Sequence, residues 1–147
     1  MKVVIQRSKK SNVVIDNEIY NKIDFGLVIF SCFTDGDNIE DIKYVVKKIV
    51  NLRIFDDENS IMNKSILDTK GEILSISQFT LYADTKKGNR PSYIKALNGE
   101  DAIKLYNKFN EELNKIVPTN TGIFGADMEV NITNDGPITI IIDSKNK

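Results

Sequence analysis

A short stretch near the middle of the chain brings hydroxyl, amide and aromatic side chains to the end of an apolar segment. Residues 73–76 are mostly aliphatic, as in a buried strand. Ser77, Gln78 and Thr80 follow, with Phe79 between them. A strand end holds its backbone rigid, so these polar groups could bind a substrate or stabilise developing charge. The alternative is an ordinary half-buried strand whose Ser and Thr side chains face solvent.

The residue types that are missing restrict the chemistry further. The chain has no histidine and one cysteine, Cys32. This excludes Ser-His-Asp and Cys-His catalytic arrangements and the usual zinc sites. Cys32 lies in the apolar run 27–33, so we expect a buried, inert thiol without a disulfide partner. Hydrolysis would have to use a carboxylate, a lysine, a hydroxyl activated in another way, backbone dipoles or the substrate itself.

No metal and no cofactor are expected. The acidic cluster 56–58 could suggest a hard cation, but it lacks the spacing of a ligand set and is interpreted as a surface turn.

A basic loop follows the polar stretch directly. Lys86, Lys87 and Arg90 lie between Asp84 and Tyr93, together with a glycine and a proline. Three positive charges beside a candidate site could hold a phosphate or a nucleotide tail. A solvated surface loop is the alternative. The net charge of −1 makes a large non-specific nucleic-acid footprint improbable but permits a local patch.

Length and composition favour one globular domain over residues 1–147. The chain is 41% hydrophobic and 28% charged, and chains of about 100 to 200 residues usually fold as a unit. Its apolar runs are far shorter than the roughly 20 residues that cross a bilayer, and charge follows the N-terminus too soon for a secretory signal. We therefore expect no membrane association and a cytoplasmic location.

The apolar periodicity predicts many strands and two main helices. Alternating or continuous apolar runs indicate strands over 2–8, 11–16, 19–23, 27–33 and 73–76, with short extended segments near 53–55 and 61–63. Apolar residues at steps of three and four predict helices over about 39–50 and 98–116, the first capped by Asp37 with Glu40. Two further strands are predicted on either side of a turn at 134–137. Proline in such a hairpin is unusual, because it lacks the ladder donor.

Two short motifs resemble those of a known family. Ser77-Gln78-Phe79-Thr80-Leu81 and Asn134-Asp135-Gly136-Pro137-Ile138-Thr139 are similar to the S-Q-F-T-L and N-x-G-P-V-T motifs of D-aminoacyl-tRNA deacylases. Further segments match in order over nearly the whole chain, among them 5–7, 53–55, 88–92 and 121–128. Ile138 in place of valine is a conservative departure. A related family that edits L-alanyl-tRNA has P-Q-A-T-L and T-N-G-P-Y-T at these places, and Ser77, Phe79 and Asp135 follow the D-specific pattern.

The resemblance implies a fold, a reaction and a partner. The fold would be α/β (α+β-like), with many-stranded, mostly antiparallel sheet layers and two main helices packed on one face. The reaction would be hydrolysis of the ester that joins a D-amino acid or glycine to the 3′ end of tRNA, a proofreading step in translation. The family is homodimeric, and each subunit inserts its Gly136-Pro137 motif, in the cis form, into the site of the other.

The resemblance also distributes roles among residues. Gly136 and Pro137 would form a fixed wall against L side chains, supported by Asn134, Thr139 and Arg7. A wall is needed because a merely complementary apolar pocket discriminates by only about 1–3 kcal/mol. Contacts to the tRNA end are expected from Lys86, Lys87, Arg90 and Met128.

Catalysis would rest mainly on the backbone and on the RNA. The amides of Phe79 and Thr80 would stabilise the oxyanion within the Ser77–Thr80 motif, and the 2′-OH of the terminal adenosine would activate water. Thr80 as a nucleophile ranks second, because no base adjoins it in sequence. Two alternatives stay open at this point: an editing enzyme for L-alanyl-tRNA, and a non-catalytic module that binds RNA ends.

Overall fold

The computed structural model describes all residues from 1 to 147. The chain forms ten strands and three α-helices. The strands are β1 (Lys2–Ser8), β2 (Ser11–Ile15), β3 (Glu18–Ile23), β4 (Gly26–Cys32), β5 (Phe55–Asp56), β6 (Met62–Lys64), β7 (Glu72–Ser77), β8 (Thr119–Thr121), β9 (Glu129–Asn131) and β10 (Asn134–Asp143). The helices are α1 (Ile39–Asn51), the single turn α2 (Ile66–Thr69) and α3 (Gly99–Asn114).

A five-stranded sheet organises the chain, in the order β10-β1-β4-β7-β8. β1 pairs antiparallel with both β10 and β4, whereas β4, β7 and β8 run parallel. A three-stranded antiparallel sheet, β3-β2-β9, and the small pair β5-β6 complete the topology. Antiparallel pairs therefore predominate, as predicted, although the main sheet is mixed.

The two long helices cover one face of the main sheet. Ile42, Val45 and Ile49 of α1 and Phe109 and Leu113 of α3 are buried in one core with the inward side chains of β1, β4 and β7. The three-stranded sheet covers part of the other face, in a smaller cluster centred on Val13, Val28 and Leu74. β4 is thus buried from both sides, which is why its sequence is apolar throughout. The predicted fold class, with two main helices on one face, is confirmed.

Helix α1 begins where the sequence predicted, but its N-cap differs from the predicted residue by one position. Asn38 is the N-cap: its side chain accepts from the Glu40 amide at 2.9 Å, and Asp41 accepts from the Asn38 amide at 3.1 Å. Asp37, predicted to cap, accepts instead from the Thr34 amide at 2.8 Å. Asp37 and Asn38 are adjacent, and their side chains cap helices about equally well. Sequence spacing alone therefore cannot decide which of them is the N-cap.

The prediction of a hairpin around residues 134–137 is wrong. β9 belongs to the three-stranded sheet, where it pairs with β2, while β10 forms the edge of the main sheet against β1. The Gly136-Pro137 motif lies inside the first residues of β10, at an edge where a missing ladder donor is tolerated. Strand β8 and the short helix α2 were not predicted. None of the helices is long and apolar enough to span a membrane.

Candidate active site

The polar stretch that follows the buried strand bends into a turn. β7 ends at Ser77, and Phe79–Tyr82 forms one turn of 3₁₀ helix, so the polar residues lie at the strand end as predicted and the alternative of an ordinary strand through them is wrong. The Gln78 amide still donates to the Ser31 carbonyl oxygen at 2.8 Å, which ties the turn to β4. The turn therefore begins from a backbone that two neighbouring parallel strands hold in place.

Two main-chain donors at this turn have no partner within the turn. The first bonded amide of the 3₁₀ turn is that of Leu81, which donates to the Gln78 carbonyl oxygen at 3.2 Å, so the amides of Phe79 and Thr80 before it are free of the turn's own hydrogen bonds. The first amides of a helical turn lack an intrahelical partner and favour negative charge nearby. Adjacent free amides on a rigid turn are the arrangement that stabilises an oxyanion in acyl transfer.

The side chains of the same turn are paired with each other. Gln78 Nε2 donates to the Thr80 hydroxyl oxygen at 2.6 Å. A carboxamide has no basic site near neutral pH, so it cannot take a proton from this hydroxyl. The contact fixes the turn and does not activate Thr80 as a nucleophile.

Two cavities share Ser77, Gln78 and Phe79 in their linings. The helix-side cavity, of about 290 Å³, is mainly apolar, and the loop-side cavity, of about 310 Å³, lies under the segment before β9. Residues 77–79 and Phe124 line both cavities. The helix-side cavity is also lined by Ser31, Cys32, Phe33, Tyr93, Ala96, Leu97, Gly99 and Ala102, and the loop-side cavity by Ile76, Gly125, Ala126, Asp127, Met128 and Val130.

Aromatic rings and a buried thiol define the helix-side cavity. The exposed Phe79 ring packs edge-on against Tyr93, with centroids 5.0 Å apart. Cys32 Sγ donates to the Phe79 carbonyl oxygen at 3.4 Å, and burial raises the pKa of this thiol to about 11. Cys32 is thus protonated at neutral pH and supports the turn, in agreement with the inert thiol that the sequence predicted.

The Gly136-Pro137 motif is exposed and braced from within its own strand. The Gly136-Pro137 peptide bond is cis, and Gly136 has φ +125°. The Asn134 side chain bridges Gly136 and Pro137. Its Oδ1 accepts from the Ile138 amide at 3.3 Å, and its Nδ2 donates to Thr139 Oγ1 at 3.1 Å. The two residues predicted to support the motif, Asn134 and Thr139, are therefore bonded across it.

Arg7 anchors the same motif from beneath. Its Nε donates to the Asp135 carbonyl oxygen at 3.3 Å and lies 3.2 Å from the Asp135 carboxylate. One terminal nitrogen donates to the Ile54 carbonyl oxygen at 2.9 Å and lies 3.4 Å from Asp56. Arg7 is buried, so these contacts replace its hydration and hold the motif against the segment after α1.

The two motifs lie at opposite ends of the main sheet within one chain. Ser77 is level with Ser31, Val3 and Ile142 across the strands. Pro137 precedes Ile142 by five residues on β10, which is about 17 Å along the strand. Three strand spacings separate β10 from β7, which adds about 14 Å across the sheet. One chain by itself does not bring both motifs into one site.

The residues expected to hold the tRNA end divide into two groups. Met128 lines the loop-side cavity. Lys86, Lys87 and Arg90 are exposed and line neither cavity, but their loop leaves the 3₁₀ turn and returns at Tyr93, beside Phe79. The loop therefore lies at the rim of the helix-side cavity, but its three charged groups do not contact the 3₁₀ turn.

Sequence reasoning missed several of the lining residues. Ala96 and Leu97 belong to the irregular segment before α3, and Asp127 lies in the loop before β9. For Ala96 and Leu97, the signal in the sequence is an apolar pair outside any helix or strand. No group of three or more Cys, Asp or Glu side chains is arranged to hold a metal ion.

Comparison with known proteins assigns the chain to a family. The family model for D-Tyr-tRNA(Tyr) deacylase matches residues 4–143. A solved structure described as a c-Myc DNA Unwinding Element Binding Protein is 38% identical and superposes with a TM-score of 0.92, over 97% of this chain and 98% of its own. A probable eukaryotic D-amino acid tRNA deacylase, at 16% identity, shares the fold with a TM-score of 0.82 over 96% of this chain and 97% of its own. The chain belongs to the D-Tyr-tRNA(Tyr) deacylase family, hydrolases that act on the ester bond of aminoacyl-tRNA.

Proposed function

We propose that this protein is a homodimeric proofreading enzyme that removes D-amino acids and glycine from the 3′ end of tRNA. The observation that carries the proposal is the separation of the two motifs. Ser77–Thr80 and Gly136-Pro137 lie at opposite ends of one sheet, so a site that uses both needs two copies of the chain. A two-fold axis makes this exchange reciprocal and gives two equal sites.

A partly exposed apolar row supports the dimer. Phe30, Val4 and Ile141 are direct neighbours across β4, β1 and β10, and Ile141 is 66% exposed. They lie on the face of the sheet away from the helices, next to the area that the three-stranded sheet covers. Apolar rows of this kind at a sheet edge are favourable places for self-association.

The two cavities suggest how the substrate lies. The apolar helix-side cavity, with Phe79 and Tyr93 at its mouth, suits the flat base of the terminal adenosine. The ester would then lie over the free amides of Phe79 and Thr80. The aminoacyl group would extend to the loop-side cavity, near Met128, where the partner's motif would face it.

The reaction needs little from the side chains. A water molecule attacks the ester carbon, the carbonyl oxygen becomes an oxyanion, and the amides of Phe79 and Thr80 stabilise it by about 3–4 kcal/mol per donor. The neighbouring 2′-OH of the adenosine orients the water and relays the proton that it loses to the 3′ oxygen. The bond between the acyl carbon and the 3′ oxygen then breaks, which gives the free amino acid and the 3′-OH of the tRNA. A chain without histidine can carry out this reaction, because the substrate supplies the polar group that activates the water.

Selectivity would come from exclusion by the Gly136-Pro137 motif. Its braced carbonyl groups would occupy the position of an L side chain at the α-carbon, whatever the side chain's chemistry. A D side chain points elsewhere, and glycine has no side chain to collide. We therefore expect glycyl-tRNA to be a substrate as well. We also expect the enzyme to act in the cytosol, together with its aminoacyl-tRNA substrates.

A second candidate is a nucleic-acid-binding role without hydrolysis. The 38% identical relative is described as a DNA unwinding element binding protein, and the basic loop at Lys86, Lys87 and Arg90 is free of carboxylate partners. The free amides and the two cavities beside them favour hydrolysis, because binding of a phosphate backbone requires neither.

Substrate assays distinguish these possibilities. D-Tyr-tRNA, L-Tyr-tRNA, Gly-tRNA and L-Ala-tRNA, each labelled at the terminal adenosine, are incubated with the protein at equal concentrations. We expect release from the D-tyrosyl and glycyl esters at rates at least about 1,000-fold above that from L-Tyr-tRNA, a selectivity of about 4 kcal/mol that exceeds what a complementary apolar pocket supplies. Preferential cleavage of L-Ala-tRNA would indicate the related editing activity, and binding without any cleavage would indicate the second candidate.

A 2′-deoxyadenosine terminus tests the role of the RNA. With D-tyrosine esterified at the 3′-OH of such a tRNA, we expect hydrolysis to fall by at least 100-fold while binding is retained, because one general-base contribution is typically worth 10²–10⁴. Unchanged hydrolysis would mean that the protein itself activates the water.

Mixed dimers test whether the site is shared. Ala96→Phe would obstruct the helix-side cavity, and Gly136→Ala would distort the motif, so at D-Tyr-tRNA concentrations below KM each variant alone should show at most about a tenth of the wild-type activity. In a mixed dimer, one of the two sites regains an intact cavity from one subunit and an intact motif from the other. We expect up to half of the wild-type activity per mixed dimer. If no activity returns, both motifs act within one chain.

A further inference from the structure

We propose that a second basic site, remote from the two cavities, binds phosphates of the tRNA acceptor stem. The site, here called the α1 groove, is an open depression of about 540 Å³ lined by Tyr44, Lys47, Lys48, Asn51, Leu52 and Arg53. The identity of the ligand rests on the proposed function. None of the groove residues belongs to either motif.

The cations of the α1 groove have no carboxylate partners. Lys47, Lys48 and Arg53 are exposed and form no ion pair, and no acidic residue lines the groove. The nearby carboxylates are already engaged: Asp56 with Arg7, Glu58 with Lys64, and Asp68, which interacts with Arg53 electrostatically but forms no ion pair with it, with the amide and hydroxyl of Ser65. In a chain whose net charge is −1, three unpaired cations around one depression form a local positive field.

Helix α3 shows what a solvated lysine face looks like in the same protein. Lys104, Lys108 and Lys115 each lie within 3.0 Å of a carboxylate three or four residues away. Such pairs support an exposed helix. On α1, by contrast, the residues three and four positions from Lys47 and Lys48 carry no negative charge. The lysines of the α1 groove are therefore free for an external anion.

The neighbouring groups suit a phosphate. Arg53 is fixed through its Nε, which donates to the Asn63 carbonyl oxygen at 2.9 Å, and its other guanidinium nitrogens have no acceptor in the chain. A guanidinium presents paired donors that match two oxygens of a phosphate. Lys48 Nζ lies 5.7 Å above the Tyr44 ring, which keeps that ammonium close to the groove.

The position of the α1 groove connects it to the substrate. Arg53 adjoins Ile54, whose carbonyl oxygen accepts from Arg7, and Arg7 also holds Asp135 beneath the Gly136-Pro137 motif. In the proposed dimer this motif enters the partner's site, so the groove lies beside the tRNA bound there. The 3′ end of the tRNA would occupy the cavities, and the double-stranded stem behind it would pass the groove. Contacts to stem phosphates would be independent of sequence.

The test compares two triple variants with equal loss of charge. Lys47→Ala/Lys48→Ala/Arg53→Ala removes the cations of the α1 groove, and Lys104→Ala/Lys108→Ala/Lys115→Ala removes paired lysines of α3. Each protein is assayed on D-Tyr-tRNA and on 3′-O-D-tyrosyl-adenosine, a minimal ester that has no stem. Binding of deacylated tRNA is measured in parallel by fluorescence anisotropy between 50 and 200 mM salt, so the groove is also tested without hydrolysis.

We expect the groove variant to lose tRNA affinity and kcat/KM on D-Tyr-tRNA, with the minimal ester cleaved at the wild-type rate. The slope of log affinity against log salt should fall by about 2, so that a fourfold rise in salt costs the wild type about 16-fold more affinity than the variant. The α3 variant should keep the wild-type slope. Equal losses on both substrates, an unchanged slope, or the same effect in the α3 variant would overturn the proposal. Absence of hydrolysis by the wild type would reject the proposed function, while the anisotropy data would still decide for or against the groove.

Discussion

Arg7 Nε lies 3.2 Å from the Asp135 carboxylate and 3.3 Å from the Asp135 carbonyl oxygen, so one buried guanidinium holds both polar groups of the residue before Gly136. The same guanidinium donates to Ile54, in the segment that follows α1. The position of the Gly136-Pro137 motif is therefore set by a contact that spans 128 residues of sequence.

Replacement of Arg7 should weaken both stability and selectivity. Arg7→Met keeps an unbranched side chain but leaves the Ile54 carbonyl oxygen and the Asp135 carboxylate without their donor. We expect the free energy of unfolding to fall by about 3 kcal/mol, because one partner of a largely buried pair is removed. Lys9→Met is the matched control, since Lys9 also faces Asp135, at 3.8 Å, but is exposed and should contribute less than about 1 kcal/mol. Urea unfolding of both variants checks the prediction, and equal losses would contradict it.

Gly136→Ala should abolish deacylation while the fold is retained. A Cβ at this position would lie 2.8 Å from Ile138 Cγ1 and 3.0 Å from the Ile138 amide, and φ is +125°. The strain, about 1–3 kcal/mol, falls on the exposed motif and not on the core. Gly36→Ala is a suitable control, because φ is +78° there but no atom lies within 4 Å. We expect activity on D-Tyr-tRNA to fall at least 100-fold in Gly136→Ala only. Unchanged turnover would remove the motif from the site.

Thr80→Val should keep most of the activity. It preserves the shape of the side chain and removes the hydroxyl that accepts from Gln78 at 2.6 Å. Because the proposed reaction uses the Thr80 amide and not its hydroxyl, we expect kcat on D-Tyr-tRNA within about tenfold of the wild type. A fall beyond about 10³-fold, the scale of a lost nucleophile, would instead support covalent catalysis.

Ala96→Phe should fill the helix-side cavity and interfere with the adenosine. We expect KM to rise at least tenfold for D-Tyr-tRNA and also for 3′-O-D-tyrosyl-adenosine, because both carry the base. Ala83→Phe introduces the same ring at an exposed alanine outside both cavities and serves as the control. Steady-state kinetics on the two substrates measure the effect. A loss confined to the tRNA substrate would mean that the base binds elsewhere.

The raised pKa of the buried Cys32 thiol predicts that the fold loses stability at alkaline pH. Burial raises the pKa of Cys32 from 9.0 to about 11, so the folded state holds this proton more tightly than the unfolded state does. The resulting stability is complete below pH 9 and is lost as the pH rises through about 11. We expect the free energy of unfolding of Cys32→Ala to decline less than that of the wild type between pH 9 and 11. Urea titrations at four pH values in this range check it, and parallel declines would contradict the assignment.

The sequence determined the elements that local patterning controls. Alternation and continuous apolar runs predicted β1 to β4 and β7, and the three-to-four periodicity predicted α1 and α3, because each pattern reflects which side of a single element is buried. The same patterning failed where partners lie far apart in sequence. β9 and β10 were predicted to pair with each other, but their pairing is decided by competition with β2 and β1, which lie more than 100 residues away.

The motifs of the site were visible in the sequence, and the family resemblance implied roles for them, but their geometry was not visible. Ser77, Gln78 and Thr80 stood out by type, yet only the structure shows a 3₁₀ turn that leaves the Phe79 and Thr80 amides free while it pairs the Thr80 hydroxyl with Gln78. Main-chain hydrogen bonds leave no trace in residue identity, so no sequence pattern can report which amides lack an acceptor. Likewise, the separation of Ser77 from Pro137 follows from strand order and register, which are set by packing of the whole sheet. Residue types thus determined which groups are available for chemistry, and tertiary structure decided which of them can meet.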